Sequence, residues 1–446
     1  SGIPITVSRT YDTRRRNDDL DFGHGWSVDY QNVRIHESRT IGLGWSLNEY
    51  RQGFFSTWCV QPNGDPIVTV TLPDGQVERF KAKASPECQQ LVPVIDVQLV
   101  FEALPGTYST LAQTSYGMLR LVNGNLMDLG DVDLVNPDHY RLTTKDGMAY
   151  ELDQSFGIRR VRDLDGNTLT YSANGIVHSN GVGVQFVRDG NGRISQIVLP
   201  DGEFIDYGYS VVGDLSSVTD PVGNVTQFTY LANLPHYLRD ILDPRGVRVA
   251  RNEYDDSGRL IAHIDADGHR IEYDFDIEGR TQQVRNRRGH VTTYVFDDEG
   301  RVTAETNALG ETTLRSYDTH GNQLTQTNAL GHTTSWTYDA RGNRLSEANA
   351  LGQTSTWTHD SRGQVLTERN AAGQVFETNT YSASTGALSS TSDALGNVTS
   401  MTYTSAGHLA RQTDALGGQT SYAYNSRGDR IREVDPLGRV VEFTFD

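Results

Sequence analysis

Residues 328–348 read Asn328-Ala329-Leu330-Gly331-His332-Thr333-Thr334-Ser335-Trp336-Thr337-Tyr338-Asp339-Ala340-Arg341-Gly342-Asn343-Arg344-Leu345-Ser346-Glu347-Ala348. The opening Asn-Ala-Leu-Gly is a turn whose glycine can take positive φ without a Cβ penalty. His332 to Tyr338 alternates small polar with bulky residues and is rich in β-branched and aromatic types, which predicts a strand. Asp339-Ala340-Arg341-Gly342-Asn343 is a second turn, with Asp placed to bond the backbone ahead of it. Arg344 to Glu347 returns. The unit is a β-hairpin with no room for a helix.

The same unit recurs to the C-terminus. Units open at Asp220, Asp243, Asp265, Asn286, Asn307, Asn328, Asn349, Asn370, Asp393, Asp414 and Asp435, in steps of 21 residues with one of 22 and two of 23. Copying one small hairpin this regularly implies a stacked repeat, because a single copy cannot bury its own apolar face. Eleven hairpins supply about 22 strands and would span on the order of 100 Å, too far for a twisted sheet to stay open and flat. One barrel of that size would have a lumen too wide for side chains to fill. The expected fold is all-β: one long antiparallel sheet of hairpins, coiled around a space.

Strand alternation places Thr334, Trp336 and Tyr338 on one face. The Tyr338 column continues through Phe275, Phe296, Tyr317 and His359, and the Trp336 column through Tyr273, Tyr294, Arg315 and Trp357. Such columns give cross-strand packing, so they read first as a structural ladder and only second as a ligand-binding stripe.

The motif Tyr-Asp-x-x-Gly, followed by Arg or Asn, is carried by Tyr254, Asp255 and Gly258, by Tyr317, Asp318 and Gly321, and by Tyr338, Asp339 and Gly342. Phe296, Asp297 and Gly300 carry a variant, and Gly310, Gly331 and Gly352 mark the alternate turns. This pattern resembles the YD repeat of Rhs proteins and covers Asp220–Asp446. Degenerate copies stand upstream, at Asp163-Leu164-Asp165-Gly166-Asn167, at Asp189 to Arg193 and at Pro200-Asp201-Gly202. Ser8 to Asp12 and Phe22 to Ser27 look like the segment that opens the shell in Rhs proteins. In that family, and in the related toxin-complex components and teneurins, the repeats wind into a hollow β-shell. In the bacterial toxins that shell encloses a C-terminal toxin, after a core segment that cleaves itself in many members. Neither is recognisable before Phe443-Thr444-Phe445-Asp446, so the chain looks like a piece of a longer protein. The resemblance thus implies a structural role, not catalysis. It also implies a toxin or effector polypeptide as enclosed partner, a secretion system or chaperone as further partner, and a secreted or cell-surface bacterial location.

Three regions are expected: a β-rich opening segment over 1–160, degenerate repeats over 161–219, and regular repeats over 220–446. Ile67 to Leu72 and Gln76 to Phe80 form a hairpin through Pro73-Asp74-Gly75. Residues 81–111 show few strand signals and read as loose. A net charge of −18, from 57 acidic and 39 basic residues, argues against nucleic acid as partner. No apolar stretch is long enough for a membrane span. Arg14-Arg15-Arg16 sits beside Asp18 and Asp19 and reads as a locally paired loop. Cys59 and Cys88 are too few for a disulfide scaffold. One bridge between them stays open, with inert buried thiols the favoured reading.

No catalytic or cofactor-binding residue is assigned. The carboxylates at Asp255, Asp297, Asp318, Asp339 and Asp360 recur at turns, whereas a catalytic pair should break the period. Asp163, Asp165 and Asn167 resemble part of a calcium loop, but Asn174 stands where the bidentate Glu belongs, so a hairpin turn is favoured over a weak calcium site. The histidines and cysteines have no zinc spacing. The alternative to a shell is a carbohydrate-binding adhesin, which would need Tyr273, Tyr294, Trp336 and Trp357 on the outer surface. Three structural expectations complete the reading: positive φ at Gly331 and Gly342, contacts mainly between residues 21 apart, and free strand edges near Glu442–Phe445.

Overall fold

The computed structural model describes residues 3–52, 55–90, 96–130, 132–425 and 428–444. Thirty-one strands form one antiparallel sheet. It begins with Thr110–Gln113 beside His139–Thr143, and from there every strand pairs with the next in sequence as far as Val440–Glu442. The only helical pieces among the described residues are 3-10 turns at Thr13–Arg15 and Asp29–Gln31. The fold is all-β, as the period requires.

Pairing is local. Ser335 lies opposite Ala348 on one side and Thr325 on the other, so partners are 13 and 10 residues away rather than 21. In an unbroken meander, residues 21 apart occupy alternate strands, two spacings or about 9.6 Å apart. The expected 21-residue contacts are therefore replaced by pairing between every strand and its immediate successor.

The N-terminal quarter builds smaller sheets. One has six strands, among them Ile67–Thr71 paired with Val77–Ser85 through the Asp-Gly turn, where Gly75 takes a φ of 87°. Another has three: Cys88–Gln90, Phe55–Pro62 and Trp45–Gln52. Residues 81–111 are thus not loose, since they hold parts of Val77–Ser85 and Thr110–Gln113 and all of Cys88–Gln90 and Asp96–Ala103. Their buried positions include Ala82 and Ala84, too small to stand out as an apolar alternation. Residues 91–95 of that stretch lie outside the described residues.

Cys59 and Cys88 face each other in register and form a disulfide, with an S–S distance of 2.08 Å. The favoured reading of two inert thiols is corrected. Strand pairing places the two Cα atoms 4.0 Å apart despite a sequence separation of 29, a proximity no sequence spacing reveals.

The core is unevenly distributed. One cluster joins the N-terminal segment, including Phe22, Trp26, Tyr30 and Trp45, to the early strands of the long sheet as far as Leu238. Beyond Ile264 no apolar residue is buried among the described residues. The regular repeats are a ribbon held by backbone pairing and partly shielded side chains, not half of a sandwich.

Candidate functional site

Most repeat turns are built alike, the exceptions being Asp276 to Arg280, where Arg280 takes the positive φ, and Ser382 to Ala387, which is one residue longer. Oδ1 of Asp339 accepts the amides of Arg341 and Asn343, both at 2.8 Å, and Oδ2 accepts the Asn343 side-chain amide at 2.9 Å. The Gly342 amide donates to the Asp339 carbonyl, and the Asp339 amide donates to that of Asn343. This is a type I turn closed by a glycine bulge, with Gly342 at φ 72°. The alternate turn uses the same geometry with Asn328 as acceptor and Gly331 at φ 80°. Burial pushes the Asp339 carboxyl up, but the Asn343 hydrogen bonds outweigh it and hold the group below its ordinary value.

The motif tyrosine has a role that the pattern did not disclose. Tyr338 donates its hydroxyl to the Gln323 carbonyl at 3.0 Å, and Tyr317 donates to Val302 at 2.9 Å. Tyr254, Tyr381, Tyr403 and Tyr424 do the same to Leu238, Val365, Leu388 and Leu409. Each hydroxyl bolts its strand to the start of the preceding one, on the side of the sheet where that strand leaves its bulge. Phe296 and His359 lack the hydroxyl, and the buried Nδ1 of His359 has no hydrogen-bond partner.

Because the sheet is a meander, its turns alternate between two rims. The Tyr-Asp turns lie on one rim, and the Asn-Ala-Leu-Gly turns lie on the other. The sheet winds until these rims meet. Tyr108, just before the first strand, shares hydrogen bonds of 2.9 and 3.1 Å with Asn322, 214 residues later. A Cβ on Gly342 would stand 2.5 Å from the Tyr108 ring, and one on Gly386 would stand 3.0 Å from Leu164. Further along this seam a groove of about 980 Å³ separates Asn167, His178 and Val182 from His408, Tyr424 and Gly428. The seam thus joins one rim of the first winding to the Tyr-Asp rim of the second.

The Tyr-Asp rim of the first winding is covered by the N-terminal segment. Tyr11 donates to the His236 carbonyl at 2.5 Å and accepts from the Leu238 amide, and burial pushes its phenol up to about 12. Trp26 donates to Tyr230, and Arg188 pairs with the buried Asp21. The Arg14–Arg16 loop is locally paired, Arg14 with Asp12 and Arg15 with Asp18, while Arg16 lies 4.7 Å over the Tyr237 ring.

Asp163, Asp165 and Asn167 occupy one turn on the seam. Both carboxylate oxygens of Asp163 accept from Asn167, at 2.8 Å each, while Asp165 points toward Gly407. Burial, then the neighbouring Asp163, pushes the Asp165 carboxyl up. Among the described residues, the only His, Cys and acidic side chains grouped closely enough for a metal are Asp265, Asp267 and His269 on a single turn. Asp265 there also pairs with Arg287 at 3.1 Å and accepts the Asp267 and His269 amides. Of the aromatic columns, Trp336 donates to Glu347 at 3.0 Å, and Trp357 lies 4.3 Å beneath the Arg344 guanidinium.

The pattern of the RHS Repeat family matches at residues 254–290, 278–312, 317–354, 381–419 and 403–440. The C-terminal part of the chain, from 254 to 440, carries RHS repeats. Among solved structures this RHS-repeat chain is similar to the crystal structure of TcdB2-TccC3-TEV, with 13% identity over 86% of this chain and 23% of that one, at a TM-score of 0.48. For the crystal structure of TcdB2-TccC3-Cdc42 the figures are 16%, 83%, 23% and 0.41. For a Tc holotoxin pore of Photorhabdus luminescens carrying a TccC3 mutation they are 16%, 83%, 22% and 0.39. The chain therefore spans less than a quarter of the length of these structures. No curated protein matches it. No helix of the described residues is long and apolar enough to cross a membrane.

Proposed function

We propose that the RHS repeats of this chain form the wall of a hollow container that holds a polypeptide, a toxin or other effector in a bacterial system. The observation that carries the reading is the seam, where the Tyr-Asp rim closes on an earlier rim of the same sheet. Twenty-one strands, from Thr168–Ser172 to Val375–Tyr381, separate the two sides of the Leu164–Gly386 contact. At about 4.8 Å per strand the circumference is about 100 Å and the diameter about 32 Å. Subtracting about 10 Å for the sheet itself leaves about 20 Å clear. A folded domain of about 100 residues has a radius of gyration near 13 Å and would not pass such a bore. The cargo is therefore extended or unfolded chain.

The disulfide between Cys59 and Cys88 favours an oxidising compartment, and so supports a secreted or surface location. The adhesin reading gains less support, because Trp336 and Trp357 are engaged by charged side chains of neighbouring strands. We retain the three regions 1–160, 161–219 and 220–446 as opening segment, degenerate repeats and regular repeats.

The test appends an unfolded, protease-sensitive tail after residue 446 and follows its cleavage. The tail should be protected in the parent chain and exposed when Tyr108→Gly loosens the seam. Equal cleavage in both proteins would refute enclosure. Independently, a hollow coil must exceed the radius of gyration of about 22 Å expected for a compact chain of this length.

A further inference from the structure

Glu78 lies deep in the core, 1% exposed, on the face of Val77–Ser85 that also carries Phe80, Ala82 and Ala84. Its Oε1 accepts from the Ser109 hydroxyl at 3.0 Å and from the Gln76 side-chain amide at 2.6 Å. Its Oε2 is buried with no partner. Thr107 is tied to the same strand, its hydroxyl accepting the Arg79 amide at 2.7 Å. Between these two anchors Tyr108 reaches the seam and bonds Asn322. Gly106 sets its backbone against the His320 carbonyl, where a Cβ would stand 2.9 Å away. The seam contact is thus held from behind by a threonine and a buried carboxyl.

We propose that Glu78 makes this latch proton-sensitive: it holds while the carboxyl is neutral and loosens once the carboxyl is charged. A charged oxygen with no donor in a dry site is costly, and a neutral carboxyl much less so. Strand Val77–Ser85 cannot move to relieve it, because it pairs on one side with Ile67–Thr71 and on the other with Asp96–Ala103. Residues 104–109 belong to no strand, so they are what withdraws to admit water. Withdrawal carries Tyr108 off Asn322 and Gly106 off His320.

Burial is the largest influence on the Glu78 carboxyl and pushes it up, while Ser109, the Tyr108 amide and Gln76 pull it back. The closed latch therefore binds the proton more tightly than the open one, whose solvated carboxyl has the ordinary value of about 4.3. Closure is favoured in full below that value. It weakens as pH rises through the raised one, by up to about tenfold per unit of separation. Val70, opposite Glu78 on the neighbouring strand, carries no charge. The charged groups face it across Tyr108: Asp318, His320 and Asp339 of the second winding, and Lys145, 5.6 Å over the ring. Burial raises Asp318 and Asp339, but their hydrogen bonds with Asn322 and Asn343 outweigh it, so both stay charged in this range. The consequence rests on the container reading: a wall tight in acid and looser at neutral pH.

Amide exchange, corrected for the intrinsic rate at each pH, tests this from about pH 4 to about pH 8. In the parent chain, protection of residues 107–113 and 322–327 should fall at least about threefold as pH rises. Glu78→Gln, which stays neutral, should remain protected throughout. Ser109→Ala removes a donor to the charged form and should move the fall to higher pH, a check that stands even where Glu78→Gln fails to fold. Histidines change charge between about pH 5 and 8, so His320→Asn is the control and should keep the fall. Flat protection in the parent overturns the proposal. So does a fall that persists in Glu78→Gln, stays in place in Ser109→Ala or vanishes in His320→Asn. Enclosure is read separately by cleavage of the appended tail, so failure of the latch and failure of the container are distinct results.

Discussion

The tyrosine bolt is open to a two-sided experiment, because the chain contains both forms of the position. Tyr338→Phe keeps the ring and removes one hydroxyl that donates to the Gln323 carbonyl at 3.0 Å. Tyr338 is only half-buried, so water partly replaces the lost donor, and the net cost should be about 1 kcal/mol. His359→Tyr is the converse. The strand Thr354–His359 has its register shift at His359 opposite Val365, the same irregularity that Tyr338 shows opposite Arg344. A tyrosine there should find the Arg344 carbonyl, remove an unpartnered buried ring nitrogen and stabilise by a similar amount. A repeat array does not unfold in one step, so a global midpoint would blur the effect. Amide hydrogen exchange resolves it locally. About 1 kcal/mol corresponds to about fivefold faster exchange across Gln323–Thr327 and Thr333–Tyr338 in the Phe variant, and to about fivefold slower exchange across Arg344–Ala348 in the Tyr variant. If both variants exchange within twofold of the parent, the hydroxyl is not what joins successive repeats.

Two further outcomes follow from the seam and the disulfide. Gly331→Ala should cost about 1–2 kcal/mol from left-handed strain alone, since its Cβ meets nothing, whereas Gly342→Ala should cost about 1–3 kcal/mol more by driving a Cβ into Tyr108. Equal acceleration of amide exchange around the two turns would show that Tyr108 does not press on that of Gly342. Reducing the disulfide, which spans 29 residues, should destabilise the N-terminal sheets by about 3–4 kcal/mol, visible by calorimetry. A thiol titration of unfolded, unreduced protein should find no free thiol, and two would remove the bridge.

The hairpins were legible because their determinants are local. Asp339 and Gly342 specify a turn within five residues, and the strand between turns declares itself by alternation and β-branching. The winding was legible only as a necessity of strand number. Its pitch, which sets Tyr108 against Asn322, comes from small twists summed over some twenty strands, and no single residue encodes that sum. Cys59 opposite Cys88 was hidden for a related reason, because register between strands separated by a long loop is a tertiary fact. The tyrosine hydroxyl was missed because Tyr, Phe and His share one column and look interchangeable as packing residues. The rims could have been told apart: Ala-Leu recurs in one turn of the unit, while Ala340-Arg341 and Ser361-Arg362 stand in the other. The two turns were read as equivalent because both satisfy the same backbone rule. At the far end, Glu442 lies on an exposed edge strand as expected, while Phe445 is outside the described residues.

The strictly sequential pairing has a mechanical meaning. A chain folded as an unbroken meander, pulled from its C-terminal end, is loaded in peeling rather than in shear: one ladder carries the force while the rest stay slack. Each strand with its turn is about ten residues, so extension should proceed in steps of about 35 Å at low and nearly constant force. The seam interrupts this where Gly407 and Gly386 approach Asp165 and Leu164, and where Gly342 and Asn322 meet Tyr108. There, side chains from the first winding must release before the next strand can leave. The wall is therefore weak to a tug along its own chain and firm against pressure from within, which pulls every ladder at once along its hydrogen bonds.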